Sequence, residues 1–148
     1  MRTATATLPD VPALATLLGE LFSQETEFAP DVAAQRRGLA RIISNPDVGI
    51  ILVAKDGDTV LGMVNILFTI STALGERVAI LEDMVVSARL RGSGIGRRLL
   101  DHAIAVAREN DCKRITLLTD RTNQSAQRFY GRCGFVPSPM IPLRLALA

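Results

Sequence analysis

A chain of 148 residues, 48% hydrophobic and 22% charged, is long enough for one domain with a sizeable core and too apolar to be disordered. Its 17 basic and 15 acidic residues leave a formal net charge of +2, which excludes nucleic-acid binding carried by bulk charge. A single histidine, His102, and two distant cysteines, Cys112 and Cys133, exclude a metal site of ligand-like spacing. The thiols are expected to be reduced and buried. Tryptophan is absent and aromatics are 4%, so the core must be aliphatic. Met1–Leu8 holds no apolar stretch suited to a signal peptide and no apolar run reaches membrane-spanning length, so a cytoplasmic protein with no membrane partner is expected.

No repeat or low-complexity linker divides the chain, which reads as a single domain over 1–148. Arg2–Leu8 alternates small polar and apolar residues and predicts a short first strand. Asp10 and Pro12 suit a helix N-cap and first turn, followed by Leu14, Leu17, Leu18 and Leu21 at helical spacing. A second helix is predicted from Asp31, burying Leu39, Ile42 and Ile43 and ending near Asn45-Pro46. Ile50–Ala54 and Val60–Ile70 read as a hairpin turning at Asp56-Gly57, and Val78–Val86 as a third strand. Gly94–Asn110 is a helix with Ile95, Leu99, Ala103 and Val106 on one face, beside Leu100 and Ala107. Ile115–Thr119 predicts a strand and Gln124–Cys133 a helix. From Phe135 on, Pro137, Pro139 and Pro142 predict edge or irregular strands. Helices interleaved with a mostly antiparallel sheet make an α/β (α+β) domain.

The stretch Val85–Leu100, VVSARLRGSGIGRRLL, carries the chemistry. An apolar strand runs into a loop holding Arg89, Arg91, Gly92, Gly94 and Gly96, and then straight into an amphipathic helix. Glycines permit close backbone approach, and the first amides of a helix lack internal partners at the positive end of its dipole. Phosphate seated there receives several N–H groups at once, with arginines beside them, so the segment describes a pyrophosphate cradle. A dinucleotide fingerprint counted from Gly92 and Gly94 would need glycine at Arg97, and a Walker loop would need Lys-Ser/Thr after Gly96, where Arg97 and Arg98 stand. Both motifs fail.

The remaining pattern resembles the GNAT N-acetyltransferase superfamily, whose Gln/Arg-x-x-Gly-x-Gly/Ala signature is filled here by Arg91, Gly94 and Gly96. A second motif agrees: Asn123, Ala126, Phe129, Tyr130, Gly134 and Phe135 stand at the family's spacing after its fifth strand. The resemblance implies a GNAT-like mixed, mostly antiparallel central sheet flanked by helices, and acetyl-CoA as co-substrate. It implies that backbone from Arg91 through Gly92, Ser93, Gly94, Ile95 and Gly96 to Arg97 holds the pyrophosphate. Met84, Val85 and Val86 would pair with the pantetheine arm and orient the acetyl carbonyl. Asn123 would contact CoA, which is compatible with capping a helix, and Tyr130 would protonate the departing thiolate.

Glu82 and Asp83 are adjacent charges on an otherwise apolar strand, where successive side chains face opposite sides. Either they pair with a helix arginine, or one is catalytic. The run LEDMVV resembles the strand of spermidine/spermine-type enzymes in which a carboxylate helps deprotonate the amine; this favours Glu82 as base, with Asp83 on the substrate side. Glu25 and Glu27 lie in a region that borders the acceptor site in this superfamily and are candidates to attract a cationic amine. Arg89 and Arg98 read as solvated, His102 as structural or surface, and neither cysteine as an activated thiolate. The expected reaction is direct acetyl transfer to a primary amine, a small amine or polyamine, in a ternary complex without metal. A non-catalytic acyl-CoA-binding or sensing module is the alternative. A homodimer involving the apolar tail Ile141–Ala148 is expected by analogy alone.

Overall fold

A computed structural model describes residues 1–24 and 31–148. The chain divides into two compact units, Met1–Leu118 and Thr119–Ala148. The first contains β1 (Arg2–Thr5), α1 (Val11–Gln24), α2 (Val32–Ile43), β2 (Gly49–Asp56), β3 (Thr59–Ser71), β4 (Glu76–Val86), α3 (Ile95–Glu109) and β5 (Ile115–Leu117), and the second contains α4 (Gln124–Arg132). The strands lie in the order β1-β2-β3-β4-β5. All neighbours are antiparallel except β4 and β5, which run parallel. The fold is therefore the mixed, mostly antiparallel sheet flanked by helices that the sequence implied.

Strand alternation sends the two faces of this sheet to different helices. Ile51, Val53, Met63 and Val85 face α1 and α2, where they pack with Leu14, Leu17, Leu18 and Leu39. The opposite face receives α3, whose Ile95, Leu99, Leu100, Ala103, Val106 and Ala107 are all buried. Burying one such leucine contributes roughly 1.5–3 kcal/mol, so these two aliphatic layers hold β3 and β4 in place without tryptophan. Among the described residues, no helix is long and apolar enough to cross a membrane.

Two expectations change. Asp10 does not cap α1: it ends a 3-10 turn at Leu8–Asp10 and accepts hydrogen bonds from the Thr7 N–H (2.8 Å) and hydroxyl (3.2 Å). Lys55 on β2 pairs with it at 2.6 Å, so the turn is tied to the sheet. Nor does the segment after Phe135 form a strand. Its three prolines remove ladder donors, and Val136, Met140, Ile141, Leu143, Leu145 and Leu147 are all exposed. The second helix begins where the sequence predicts, after Asp31, whose carboxylate accepts from the Ala34 N–H at 3.1 Å and caps α2.

Glycine positions supply a test of the packing. A Cβ on Gly49 would sit 2.3 Å from the Ile66 carbonyl oxygen across the ladder, whereas one on Gly38 in α2 would meet nothing within 4 Å. Gly38→Ala should therefore raise stability by about 0.5–1 kcal/mol, the helix-propensity difference. Gly49→Ala should lower it by more than about 1 kcal/mol, because backbone must shift. Denaturant midpoints with unchanged slopes would check the pair.

Candidate active site on β4 and the start of α3

The β3–β4 ladder is regular from Gly62↔Val86 to Asn65↔Asp83, then resumes at Ile66↔Leu81. One step on β3 answers two on β4, so Glu82 is the extra residue of a β-bulge. Pairing with β5 ends at the same place, since its last register pair is Leu81↔Leu117. From Glu82 to Val86 no described strand pairs with the β5 side of β4. The Ser87 N–H donates to the Leu61 carbonyl at 2.8 Å, toward β3. Alternation then turns the amides of Met84 and Val86 toward the unpartnered side and that of Val85 toward β3.

The bulge separates the two carboxylates. Glu82 is exposed; Asp83 is half-buried, and Asn65 Nδ2 donates to its Oδ2 at 3.0 Å. Among the described residues neither forms an ion pair with an arginine, so the arginine pairing left open by the sequence is absent there. Burial raises the Asp83 carboxyl from its ordinary 3.8 to about 6; the charge of Glu82 pushes the same way, and the Asn65 hydrogen bond pulls against both. Asn65 is 3% exposed, and its Oδ1 is buried with no hydrogen-bond donor among the described residues. Such a group costs about 1–3 kcal/mol. Sequence reasoning missed this residue, although Asn65 is the lone polar side chain within Leu61–Phe68.

After β4 the chain makes a short 3-10 turn at Ala88–Leu90 and enters the glycine loop. Gly92 and Gly94 take φ of +81° and +87°, the left-handed region that costs other residues about 1–2 kcal/mol. Ser93 lies between them, its hydroxyl and N–H both directed to the Leu90 carbonyl. Gly94 is the N-cap of α3 and has no side chain to cap it. The first intrahelical bond is Arg98 N–H to the Gly94 carbonyl (3.2 Å), so the amides of Ile95, Gly96 and Arg97 precede the helix's own ladder. Arg91 is exposed beside them, while Arg97 Nε donates to Asp101 Oδ1 at 3.1 Å one turn along. What the loop offers an anion is chiefly backbone.

The second motif lies in the other unit. Asn123 Oδ1 accepts from the Ala126 N–H at 3.1 Å, capping α4. Half-buried Tyr130 makes edge-to-face contacts with Phe129 (5.3 Å between centroids) and Phe135 (5.6 Å). His102 is structural, its Nδ1 3.0 Å from the Thr3 hydroxyl. The cysteines are free and half-buried, and burial pushes the Cys112 thiol up, away from activation. Glu25 and Glu27 lie outside the described residues.

The family model described as the acetyltransferase (GNAT) family matches residues 13–135. The chain belongs to the GNAT acetyltransferase family. An uncharacterized N-acetyltransferase of Bacillus subtilis, YhfO, is 31% identical over 124 residues, covering 82% of this chain and 83% of the relative. The aminoalkylphosphonate N-acetyltransferase of Salmonella typhimurium is 29% identical over 133 residues, 90% of this chain and 83% of its own. The solved structure of a probable acetyltransferase, 25% identical, matches with a TM-score of 0.85 over 100% of this chain and 99% of that one. This GNAT member is accordingly an acyltransferase, and the resemblance carried by Arg91, Gly94 and Gly96 holds as family membership.

The carboxylate inside this GNAT sheet makes a signed prediction. A carboxyl held higher in the folded chain than in the unfolded one contributes stability that is full below about 3.8 and lost as pH rises through about 6. Asp83→Asn keeps an acceptor for Asn65 and abolishes that loss. Its stability advantage over the wild type should grow across this window toward roughly 2–3 kcal/mol and then level off. Equilibrium unfolding from about pH 4 to 8 checks this, and a pH-independent difference would contradict it.

Proposed function

We propose that the chain transfers the acetyl group of acetyl-CoA to a small primary amine by direct attack within a ternary complex. The observation that carries this reading is the single run of backbone from Met84 to Arg97: an unpartnered strand edge leads, through two left-handed glycines, to the uncapped start of α3. Such a run fits a long thiol ester with a pyrophosphate at one end. The amides of Gly94, Ile95, Gly96 and Arg97 would receive phosphate oxygens, with Arg91 adding charge, and Met84–Val86 would pair with the pantetheine arm. Bound acetyl-CoA supplies the activated acyl carbon. The Met84 or Val86 N–H would donate a hydrogen bond to its carbonyl oxygen as negative charge grows there.

A β4 carboxylate takes the amine proton. Sequence favoured Glu82, which is the exposed extra residue of the bulge. Asp83 has the stronger support, because it is half-buried and its carboxyl lies near 6, ionised at neutral pH yet close enough to it to accept a proton. As the nitrogen lone pair forms the C–N bond, an N–H proton passes to the carboxylate; the C–S bond breaks with its electrons on sulfur, which Tyr130 protonates. Asn123 would reach CoA through Nδ2 while Oδ1 caps α4. The roles of Tyr130 and Asn123 rest on the family motif, as does the placing of Glu25 and Glu27 beside the acceptor. Positioning of two bound substrates supplies much of the acceleration, and no acetyl-cysteine is formed.

The acceptor is a small amine, in keeping with the aminoalkylphosphonate named for the Salmonella relative. That relatives are named N-acetyltransferases weighs against a non-catalytic sensing module. Calorimetric titration with acetyl-CoA should show 1:1 binding that Gly94→Glu lowers at least 100-fold, by filling the cradle with a carboxylate. Thiol release should then follow with a panel of aminoethylphosphonate, spermidine and glucosamine 6-phosphate. A folded wild type that binds neither acetyl-CoA nor longer acyl-CoAs would overturn the proposal.

A further inference from the structure

We propose that Asn65 is a positioning residue for amine deprotonation, holding the Asp83 carboxylate at the β3–β4 bulge and setting how readily it takes a proton. The inference rests on the acyl-transfer reading above and adds a residue that neither family motif contains. Four observations carry it. Asn65 and Asp83 are cross-strand partners at the last regular register pair before the bulge, so their side chains share a face. They are joined by the 3.0 Å bond from Asn65 Nδ2. Asn65 is almost wholly buried in an apolar strand, yet its Oδ1 has no donor among the described residues. A structural asparagine would be satisfied at both ends; here the described contacts serve only the end that faces Asp83. Finally, the pair lies where β4 loses its β5 partner, one residue from the Met84 amide.

The direction of its effect follows from chemistry. A hydrogen bond donated to a carboxylate favours the ionised form, so Asn65 counters the rise that burial imposes on Asp83. The other charges around Asp83 are few. Glu82 acts on it from its own strand. From the packed helices come Glu20, the sole ionisable residue of α1, and Arg36, Arg37 and Arg41 of α2, all three exposed. Without Asn65 the carboxyl would stay protonated to higher pH, and less of it would be ionised to accept the amine proton on the acid side of neutrality.

The test compares Asn65→Leu, which keeps volume and loses the donor, with Asn65→Val, which also lacks a donor, as a second variant should the first fail to fold. Each is examined in the wild-type and Asp83→Asn backgrounds. One readout is the carbon NMR titration of the Asp83 carboxyl; the other is the pH profile of kcat/KM with acetyl-CoA and the panel amine that turns over fastest. In both variants the Asp83 titration and the acid limb should move to higher pH by about one unit, lowering kcat/KM about fivefold near pH 6, approaching about tenfold at lower pH, and no more than about threefold at pH 8. The Kd for acetyl-CoA should not change, and in the Asp83→Asn background Asn65→Leu should add nothing to the pH profile. A folded variant with a native Asp83 titration and acid limb would overturn the inference, as would a loss that persists without Asp83. If the wild type acetylates no panel amine, the reading of the reaction fails, while the titration still decides whether Asn65 sets Asp83.

Discussion

Past Leu81, β4 is paired among the described residues on its β3 side alone, and the rest of the site depends on that asymmetry. A strand edge with unmet N–H and C=O groups normally invites another strand, and proteins usually cover, shorten or twist such edges. Here the bulge at Glu82 twists β4 just where β5 stops, so the free edge is short and lies next to the glycine loop. Keeping it straight requires packing on both faces. Val85 is fixed against the α1–α2 layer, and Leu99 and Leu100 of α3 seal the opposite side. The aliphatic core thus serves as a clamp on one strand.

The same clamp explains why the site carries energetic cost. Asp83 and Asn65 occupy positions of the sheet face on which their neighbours Met63 and Val85 are core residues. Replacing polar groups there by aliphatic ones would suit the packing better, and a raised carboxyl together with a buried amide oxygen that has no donor among the described residues marks a local departure from optimal stability. The glycine loop makes a parallel sacrifice. Two left-handed residues give up chain entropy, and the α3 amino terminus goes without a side-chain cap, so that amides remain for a ligand. Where a chain breaks several local rules in one place, function is the usual reason.

Most of the fold was legible in the sequence because its signals were local. The period of Ile95, Leu99, Ala103 and Val106, the helix start at Asp31 and the Asp56-Gly57 turn all found their elements within a residue or two. Asp10 misled because one aspartate can serve either as a cap or as the partner of Lys55, and only the β1–β2 pairing decides between them. The tail misled because Pro137, Pro139 and Pro142 read as marks of edge or irregular strands, whereas their missing N–H groups withhold ladder donors. In the site, the cradle could be read from Arg91, Gly94 and Gly96, since its chemistry lies in consecutive backbone. The sorting of Glu82 from Asp83 could not, because it depends on a bulge created by register with β3. Asn65 was hidden for the same reason: its partner lies 18 residues away in sequence and is set by cross-strand pairing.

The central claim is that one continuous backbone track, from the free edge of β4 to the first turn of α3, receives acetyl-CoA. Amide NMR of the protein during titration with acetyl-CoA tests it most directly. The account predicts that the largest shifts fall on Met84, Val86 and the run from Gly92 to Arg97. Saturable binding whose shifts lie elsewhere, with these amides unmoved, would contradict it.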